Sequence, residues 1–352
     1  MKKVLMKGNE AAAEAAIHAG CRFYAGYPIT PQNEIPEYMS WRMHEAGGVF
    51  IQAESELAAV NMVYGAAAAG ARAMTSSSSP GISLKQEGIS YLAGAELPAV
   101  IVNIQRGGPG LGNISGSQAD YFQAVKGGGH GDYRMLVYAP NSVQELWGLT
   151  MLAFDKADIY RTPVMILADG ILGQMMEPLY LTPYKRPKLP EKSWALTGCK
   201  GRPAGVIKSL YMGEGELEAR NAVLQEKYKV LRKKEVRFES LDTEDAEVVV
   251  VAFGIAARLT ISAQQRLRKE GFKVGLFRPV SLFPFPEKEL SALADRVKRF
   301  ITIELNAGQM VEDVRLSVCA KGAEVAFYGR PGGATVAPEE IYEKIREVCS
   351  AS

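Results

Sequence analysis

The chain has 352 residues, 47% of them hydrophobic, and a formal net charge of only +2. This length is sufficient for two domains of ordinary size. The nearly neutral charge gives no electrostatic reason to expect nucleic acid or an anionic membrane as a partner. No apolar stretch approaches the roughly 18 residues of a membrane helix, and Lys7 and Glu10 interrupt the opening apolar run before it resembles a signal peptide. We therefore expect a globular protein of the cytoplasm.

The cysteines and histidines do not indicate a metal centre. Cys21, Cys199, Cys319 and Cys349 are far apart and form no C-x-x-C pair, so neither zinc nor an iron-sulfur cluster is expected on this chain. Isolated buried thiols in a reducing compartment are the expectation instead. The histidines share no ligand spacing.

Residues 1–182 alternate short β-rich runs with helical ones, which predicts a mostly parallel sheet covered on both faces. The first helix is expected to be capped by Asn9 and to stop at Gly20. Strands are expected near Arg22–Ala25, Val49–Gln52, Arg72–Thr75, Ala99–Gln105, Met135–Ala139 and Val164–Ala168, and helices over Ser55–Gly70, Gly81–Ala95 and Ser142–Lys156.

Residues 183–244 are predicted to be a basic linker. Three prolines between Pro183 and Pro190 make a continuous helix or strand unfavourable there. From Leu181 to Ser240 there are 14 Lys and Arg against 7 Asp and Glu. The run Gly215 to Arg237 is typical of a charged helix, whose basic face is either solvated or a docking site for an acidic partner.

Residues 245–352 are predicted to form a second α/β domain. Glu247–Gly254 is an apolar run of strand length that ends in glycine, as a buried parallel strand does. Strands and helices alternate from there to the end, with strands at 273–277, 300–304 and 324–328 and helices at 256–270, 308–319 and 338–348.

Three clusters that can carry chemistry each follow a predicted strand of the first domain. In an open α/β sheet, this places them together at the carboxyl edge, where such folds bind ligands. The first cluster is Tyr27-Pro28-Ile29-Thr30-Pro31. Because Thr30 precedes a proline, its backbone is restricted to extended geometry, and its hydroxyl can donate to a bound acid or ketone. Alternatively, the cluster only shapes a strand-to-helix turn.

The second cluster contains two acids, Glu54 and Glu56, on either side of Ser55, which is a plausible helix cap. Thiamine diphosphate needs a carboxylate against N1′ of its aminopyrimidine. Periodicity does not choose between the two acids. Both can also serve only to complement the helix dipole.

The third cluster is the glycine loop that begins at Arg106. A guanidinium can bind a carboxylate through two parallel hydrogen bonds, which suits a 2-oxo acid, although a structural salt bridge is the alternative. Nearby, Thr75 to Gly81 follows another strand and opens a helix with four consecutive serines. This segment can line a cofactor pocket or simply cap the helix.

The chain resembles the α subunit of the 2-oxoacid:ferredoxin oxidoreductases over nearly its full length. The three clusters, the serine segment and the run Pro279 to Pro286 are similar to the signatures of that family, in the family's order. Ser76 to Lys85 and Lys126 to Asp132 look most like the branched-chain, 2-oxoisovalerate enzymes.

The resemblance implies roles for individual residues. It makes Glu56 the catalytic partner of the aminopyrimidine nitrogen, which decides between Glu54 and Glu56, and it places Thr30 and Arg106 against the substrate. Tyr27 and Ser79 are expected to contact the cofactor. The resemblance further implies a pyrimidine-binding thiamine domain at 1–182 and a transketolase C-terminal-like domain at 245–352.

The departures from the pattern predict partners. The nearest imitation of a Gly-Asp-Gly diphosphate and magnesium motif is Ala168-Asp169-Gly170, and the next asparagine, Asn221, is too distant to complete it. We therefore expect thiamine diphosphate to be shared with a β subunit that holds its diphosphate and Mg²⁺. Iron-sulfur clusters are expected on that subunit or on γ and ferredoxin-like δ subunits.

The predicted function is the conversion of a branched-chain 2-oxo acid, coenzyme A and oxidised ferredoxin into acyl-CoA, carbon dioxide and reduced ferredoxin. Two alternatives stay open at this point. One is a 2-oxoglutarate or pyruvate enzyme, and the other is a non-catalytic scaffold subunit of such a complex.

Overall fold

The computed structural model describes residues 2–334 and 336–351, and they form three sheets. The strands are β1 Lys2–Lys7, β2 Phe23–Gly26, β3 Val49–Gln52, β4 Ala73–Ser77, β5 Ala99–Gln105, β6 Leu136–Tyr138, β7 Pro163–Asp169, β8 Met176–Leu181, β9 Phe238–Leu241, β10 Val248–Val251, β11 Val274–Pro279, β12 Ser281–Phe283, β13 Arg299–Glu304 and β14 Glu324–Gly329. The α-helices are α1 Gly8–His18, α2 Glu34–Glu45, α3 Glu56–Ala68, α4 Ser79–Gly94, α5 Tyr121–Val125, α6 Val143–Tyr160, α7 Gly170–Gln174, α8 Glu216–Lys234, α9 Gly254–Lys269, α10 Glu287–Leu293, α11 Met310–Val318 and α12 Pro338–Ser350.

The first sheet has the strand order β12-β6-β7-β5-β4-β2-β3. All pairs in it are parallel except β12 with β6. The central strands β4, β5 and β7 are buried along their whole length because helices cover them. Helix α1 packs against α6, and α3 packs against α4. A separate antiparallel pair joins β1 to β8.

The second sheet has the order β14-β13-β10-β11-β9, parallel except for the edge strand β9. The all-valine strand β10 lies at its centre, and α9 and α12 pack together beside it. The prediction of two α/β domains is confirmed. Strand β12 lies in the predicted second domain but pairs with the first sheet, and β9 lies in the predicted linker but pairs with the second. The boundaries at 182 and 244 stay a prediction.

Two local expectations are wrong. Asn9 does not cap α1, because the helix already begins at Gly8 with Lys7 as its N-cap; the buried Asn9 side chain instead donates to the Pro31 carbonyl oxygen, 2.8 Å away. Of the four cysteines, only Cys21 is buried, since Cys199 and Cys319 lie on surface segments and are exposed. Gly20 does have the predicted left-handed backbone, with φ of +87°.

The charged helix α8 packs on the first domain. Its Leu224, Tyr228 and Leu231 are buried in the main core. Lys227 and Arg220 both form ion pairs with Glu96, at 2.9 and 2.6 Å. These contacts account for part of its basic character, and the remaining basic residues face solvent. The proline-rich segment 183–190 has no helix or strand, as predicted. No described helix is long and apolar enough to cross a membrane.

Candidate active site

The predicted clusters meet at the carboxyl edge of the first sheet. Strands β2, β3, β4 and β5 end at Gly26, Gln52, Ser77 and Gln105, and each cluster begins within a few residues of one of these ends. Parallel pairing aligns these ends on one side of the sheet. Hydrogen bonds of Arg106 connect the first cluster to the third, and the third to the serine segment.

Glu56 is the first residue of α3, and its side chain is buried at 6% exposure. Helix α3 begins here because Ser55 caps it, with its hydroxyl accepting from the Ala58 amide at 3.1 Å. Glu54, one residue before the cap, is exposed. Burial therefore distinguishes Glu56 from Glu54, which sequence periodicity does not.

The Glu56 carboxylate lies against the start of α4. A Cβ placed on Gly81 would lie 2.5 Å from Glu56 Oε1, so only glycine at this position leaves room for the carboxylate. No described residue donates a hydrogen bond to the Glu56 side chain. Its oxygens are therefore available to a ligand.

Unsatisfied hydroxyls lie just before α4, where a Cβ on Gly81 would meet Ser77 Oγ as well as the Glu56 carboxylate. The Ser77 and Ser78 side chains are buried and have no hydrogen-bond partner among the described residues. Buried polar groups are rarely left in this state unless water or a ligand completes them. Ser76, in contrast, is fully engaged in a network with Tyr24 and Gln32.

Arg106 connects two of the predicted clusters. Its guanidinium donates to the carbonyl oxygens of Thr30 and Leu111, both at 2.9 Å. Its backbone amide donates to the Ser79 hydroxyl at 3.0 Å. No acidic side chain forms an ion pair with Arg106 in the described part of the chain, and its Nε is buried without a partner. The structural salt bridge considered above is thus not what this guanidinium makes.

The remaining predicted residues lie nearby with different contacts. The Thr30 hydroxyl accepts from Asn33 Nδ2 at 3.1 Å. Tyr27 is 39% exposed at the rim. The Ser79 hydroxyl donates to Asp120 Oδ2 at 2.7 Å. The structure brings these residues to one edge, while their roles toward substrate and cofactor stay predictions.

Sequence reasoning missed two ionisable groups at this edge. Lys85, one helical turn after Gly81, is completely buried, and burial lowers its pKa to about 8. Burial also raises the pKa of the Asp120 carboxyl, against hydrogen bonds from Ser79 and Asn103 that lower it. Lys85 lay within a segment that the resemblance singled out, but no local pattern indicates that its side chain turns inward.

The arrangement fits the aminopyrimidine half of thiamine diphosphate. It offers a buried carboxylate without a partner, a glycine that keeps space beside it, and free hydroxyls. Fewer groups are available to bind the diphosphate half. Asp169 Oδ1, the carboxylate of the imitated motif, accepts from the Ile171 and Leu172 amides at 2.9 and 3.1 Å and so caps α7. Burial raises the pKa of this carboxyl to about 6.

Two family models match the chain. One, described as "Pyruvate flavodoxin/ferredoxin oxidoreductase, thiamine diP-bdg", matches residues 14–232. The other, described as "Pyruvate:ferredoxin oxidoreductase core domain II", matches residues 246–341. Fold and matches together define an α/β oxidoreductase chain with a thiamine diphosphate-binding domain.

Named relatives narrow this class. The chain is 51% identical, over 100% of its length and 99% of the relative's, to ketoisovalerate oxidoreductase subunit VorB of Methanothermobacter marburgensis. It is 37% identical to 2-oxoglutarate synthase subunit KorA of Methanothermobacter thermautotrophicus, over 98% of both chains. The chain belongs to the 2-oxoacid:ferredoxin oxidoreductase family, as its motifs predicted.

Solved structures agree with the fold. The structure of 2-oxoglutarate:ferredoxin oxidoreductase from Magnetococcus marinus, with 2-oxoglutarate, coenzyme A and succinyl-CoA bound, matches with a TM-score of 0.85 and 28% identity. The match covers 99% of this chain and 65% of that one. A split-gene transketolase matches with a TM-score of 0.61 at 15% identity, which is a likeness of fold alone.

Proposed function

We propose that this chain is the α-type subunit of a complex that oxidatively decarboxylates a branched-chain 2-oxo acid such as 2-oxoisovalerate. The products are the acyl-CoA and carbon dioxide, and the released electrons pass to ferredoxin. The observation that carries the proposal is the buried, unpartnered Glu56 carboxylate beside Gly81, at the same sheet edge as Arg106. The 51% identity to a ketoisovalerate subunit, against 37% to the 2-oxoglutarate subunits, favours the branched-chain substrate.

In this proposal Glu56 holds the proton shared with N1′ of the aminopyrimidine. When bound, thiamine diphosphate supplies a nucleophilic carbon and an electron sink, which accepts the electron pair that remains when the substrate carboxylate leaves as carbon dioxide. Arg106 binds the substrate carboxylate through its guanidinium, whose buried Nε lacks a partner in the described chain. Thr30 lies beside the keto group, and Tyr27 and Ser79 contact the cofactor.

The glycine loop adds an apolar feature that suits a branched substrate. Leu111 and Ile114 are 81% and 63% exposed on this loop. The Leu111 carbonyl oxygen accepts from the Arg106 guanidinium itself. A large apolar residue that close to the carboxylate-binding group can pack against the isopropyl group of 2-oxoisovalerate once the complex encloses the site.

The partners are part of the proposal. We infer that a β subunit holds the diphosphate and Mg²⁺, because Asp169 in this chain is committed to capping α7. Iron-sulfur clusters are proposed on the partner subunits, which are this β subunit and γ and ferredoxin-like δ subunits. Coenzyme A and ferredoxin are its co-substrates, and the cytoplasm is its proposed location.

Purification of the complex through a tag on this chain tests the proposal. The purified complex should contain partner subunits, thiamine and iron, and it should use 2-oxoisovalerate with a higher kcat/KM than pyruvate or 2-oxoglutarate. A preference for 2-oxoglutarate would place the chain with its KorA relatives. A complex without thiamine or 2-oxo acid activity would support a scaffold role.

A further inference from the structure

The side chain of Lys85 lies behind Glu56 and is wholly buried, with 0% exposure. Its Nζ donates to the backbone carbonyl oxygen of Glu56, 3.3 Å away. This is its one hydrogen bond among the described residues, and no carboxylate lies within ion-pair distance of it. A buried ammonium normally requires an acidic partner, because the charge is costly to desolvate.

Helix α4 aligns Lys85 with the catalytic carboxylate. Lys85 follows Gly81 by four residues, so both lie on the same face of the helix. Gly81 is the residue against which Glu56 Oε1 lies. Lys85 thus contacts the backbone of Glu56, while Gly81 leaves room for the Glu56 side chain.

The charged and titratable groups around Lys85 lie on α3, on α4 and on the segments in contact with α4. Glu56 is the acid whose charge acts on it, and it partly offsets the desolvation that lowers the pKa of Lys85 to about 8. Strand β5, which packs against α4, carries no titratable residue. The other titratable groups are Tyr64 on α3, Glu87 and Tyr91 on α4, and Asp169 at the end of β7. Segments in contact with α4 add Arg106 and Asp120 beside Ser79, Arg220 beside Gly94, and Lys126, His130, Asp132, Tyr133 and Arg134 in the adjoining loop.

We propose that Lys85 is a positioning residue that holds the start of α3 through the Glu56 carbonyl and, while protonated, attracts the Glu56 carboxylate and so keeps it in place for the cofactor. The proposal rests on the proposed function only in taking Glu56 as the group that faces the aminopyrimidine. The positive charge of Lys85 and the negative charge of Glu56 attract each other, and this attraction is stronger in a buried site than in water. When the ammonium loses its proton, that support is lost although the hydrogen bond to the carbonyl can remain.

The test compares Lys85→Met and Lys85→Arg with the wild-type complex. Methionine keeps most of the apolar volume but has no charge and no donor. Arginine keeps a charge that does not titrate below about pH 12. Lys227→Met is the matched control. Lys227 on α8 is largely buried and burial lowers its pKa, but it forms an ion pair with Glu96 and makes no contact with Glu56.

Two quantities are measured against pH: the dissociation constant of thiamine diphosphate for the cofactor-depleted complex, and kcat/KM. In the wild type, both should worsen with an alkaline midpoint near 8. In Lys85→Met that limb should disappear, and cofactor binding at pH 7 should weaken roughly tenfold. Lys85→Arg should lack the alkaline limb while binding the cofactor at pH 7 about as tightly as the wild type.

Either of two results would overturn the proposal. One is a Lys85→Met complex with the wild-type pH dependence of cofactor binding, and the other is a Lys85→Arg complex that keeps an alkaline midpoint near 8. If Lys85→Met does not assemble, the arginine variant alone decides. A wild-type complex that binds no thiamine diphosphate at any pH would instead refute the proposed function.

Discussion

The carboxyl edge of the first sheet and the junction with the second domain differ in how their buried polar groups are paired. At the carboxyl edge of the first sheet, Ser77, Ser78 and Arg106 Nε have no partner in the described chain. At the junction with the second domain, the buried polar groups bond to one another. Glu304 accepts from the Met310 and Val311 amides at 2.8 and 2.9 Å and from Asn306 at 2.9 Å.

Gln118 completes the junction. Its side chain donates to the Phe253 carbonyl oxygen at 2.8 Å and accepts from the Leu305 amide at 3.0 Å. Its backbone carbonyl accepts from Asn306 at 2.9 Å. A polar cluster satisfied within its own chain is structural, whereas one with unused donors and acceptors indicates a ligand. Variants at the sheet edge should therefore alter activity, and variants at the junction should alter stability.

After the loss of all activity expected from a change of Glu56, the largest effect is expected from Arg106→Met. If the guanidinium binds the substrate carboxylate, its removal should lower kcat/KM roughly a thousandfold, since loss of one partner of a buried charge pair costs about 2–5 kcal/mol. The control is Arg72→Met, because Arg72 is a buried arginine that forms ion pairs with Asp155 and Asp158. Steady-state kinetics and thermal melting distinguish the two.

The Arg72→Met control should melt at a lower temperature, because it leaves two buried acids unpaired. Its KM should not change, because these acids lie away from the site. If Arg106→Met kept kcat/KM within threefold of the wild type, Arg106 would have no role in binding the substrate carboxylate.

The next effect is expected from Gly81→Ala. The added methyl would lie 2.5 Å from Glu56 Oε1 and must displace the carboxylate. A displacement of this kind lowers turnover roughly a hundredfold. Gly65→Ala on α3 is the control, since a Cβ at Gly65 meets nothing within 4 Å and should raise stability by about 0.5–1 kcal/mol. Equal activity of the two variants would contradict the account.

A smaller effect, on stability, is expected at the junction from Glu304→Gln. The amide cannot accept all the hydrogen bonds that the carboxylate accepts, so the free energy of unfolding should fall by about 1–3 kcal/mol. Burial raises the pKa of the Glu304 carboxyl. Its contribution to stability is therefore greatest below its unfolded pKa and declines as pH rises through the folded one.

The melting-temperature difference between the Glu304→Gln variant and the wild type should accordingly be greater at pH 5 than at pH 8. Activity per assembled complex should hardly change. A large loss of turnover with unchanged melting would show that the junction takes part in chemistry.

The smallest effect is expected from Leu111→Ala. If this side chain packs against the branched substrate, the preference for 2-oxoisovalerate over pyruvate should fall roughly tenfold. Leu316→Ala is a matched control, because Leu316 is 70% exposed on α11 of the second domain. Competition between the two substrates measures the ratio directly, and an unchanged ratio would remove Leu111 from the specificity pocket.

Much of the fold follows from local sequence. The predicted bounds of β3 and β5 agree with the structure because apolar, β-branched runs with polar ends specify strands, both at the exposed sheet edge, as in β3, and in the buried centre, as in β5. Helix α2 was missed, since its surface is polar and Pro36 lies in its first turn, where proline is tolerated. Strand β12 was missed because a three-residue strand is specified by its distant partner β6, not by its own pattern.

The site was predictable in part for the same reason. Strand order brings Thr30, Glu56 and Arg106 to one edge, which the alternating pattern implies. Choosing Glu56 over Glu54 requires knowing which side chain is buried, and the sequence made that choice only through family resemblance. Predicting that Lys85 is buried requires knowing that α4 packs on α3, and no local spacing reveals this contact between helices.

The central claim is that Glu56 serves a shared thiamine site at the edge of the first sheet. Carbon dioxide release from 2-oxoisovalerate by the assembled complex tests it most directly, in Glu56→Gln beside the exposed control Glu54→Gln. The account predicts that Glu56→Gln assembles with its partners and releases no carbon dioxide above background, while Glu54→Gln matches the wild type. Near-normal release by Glu56→Gln would contradict it.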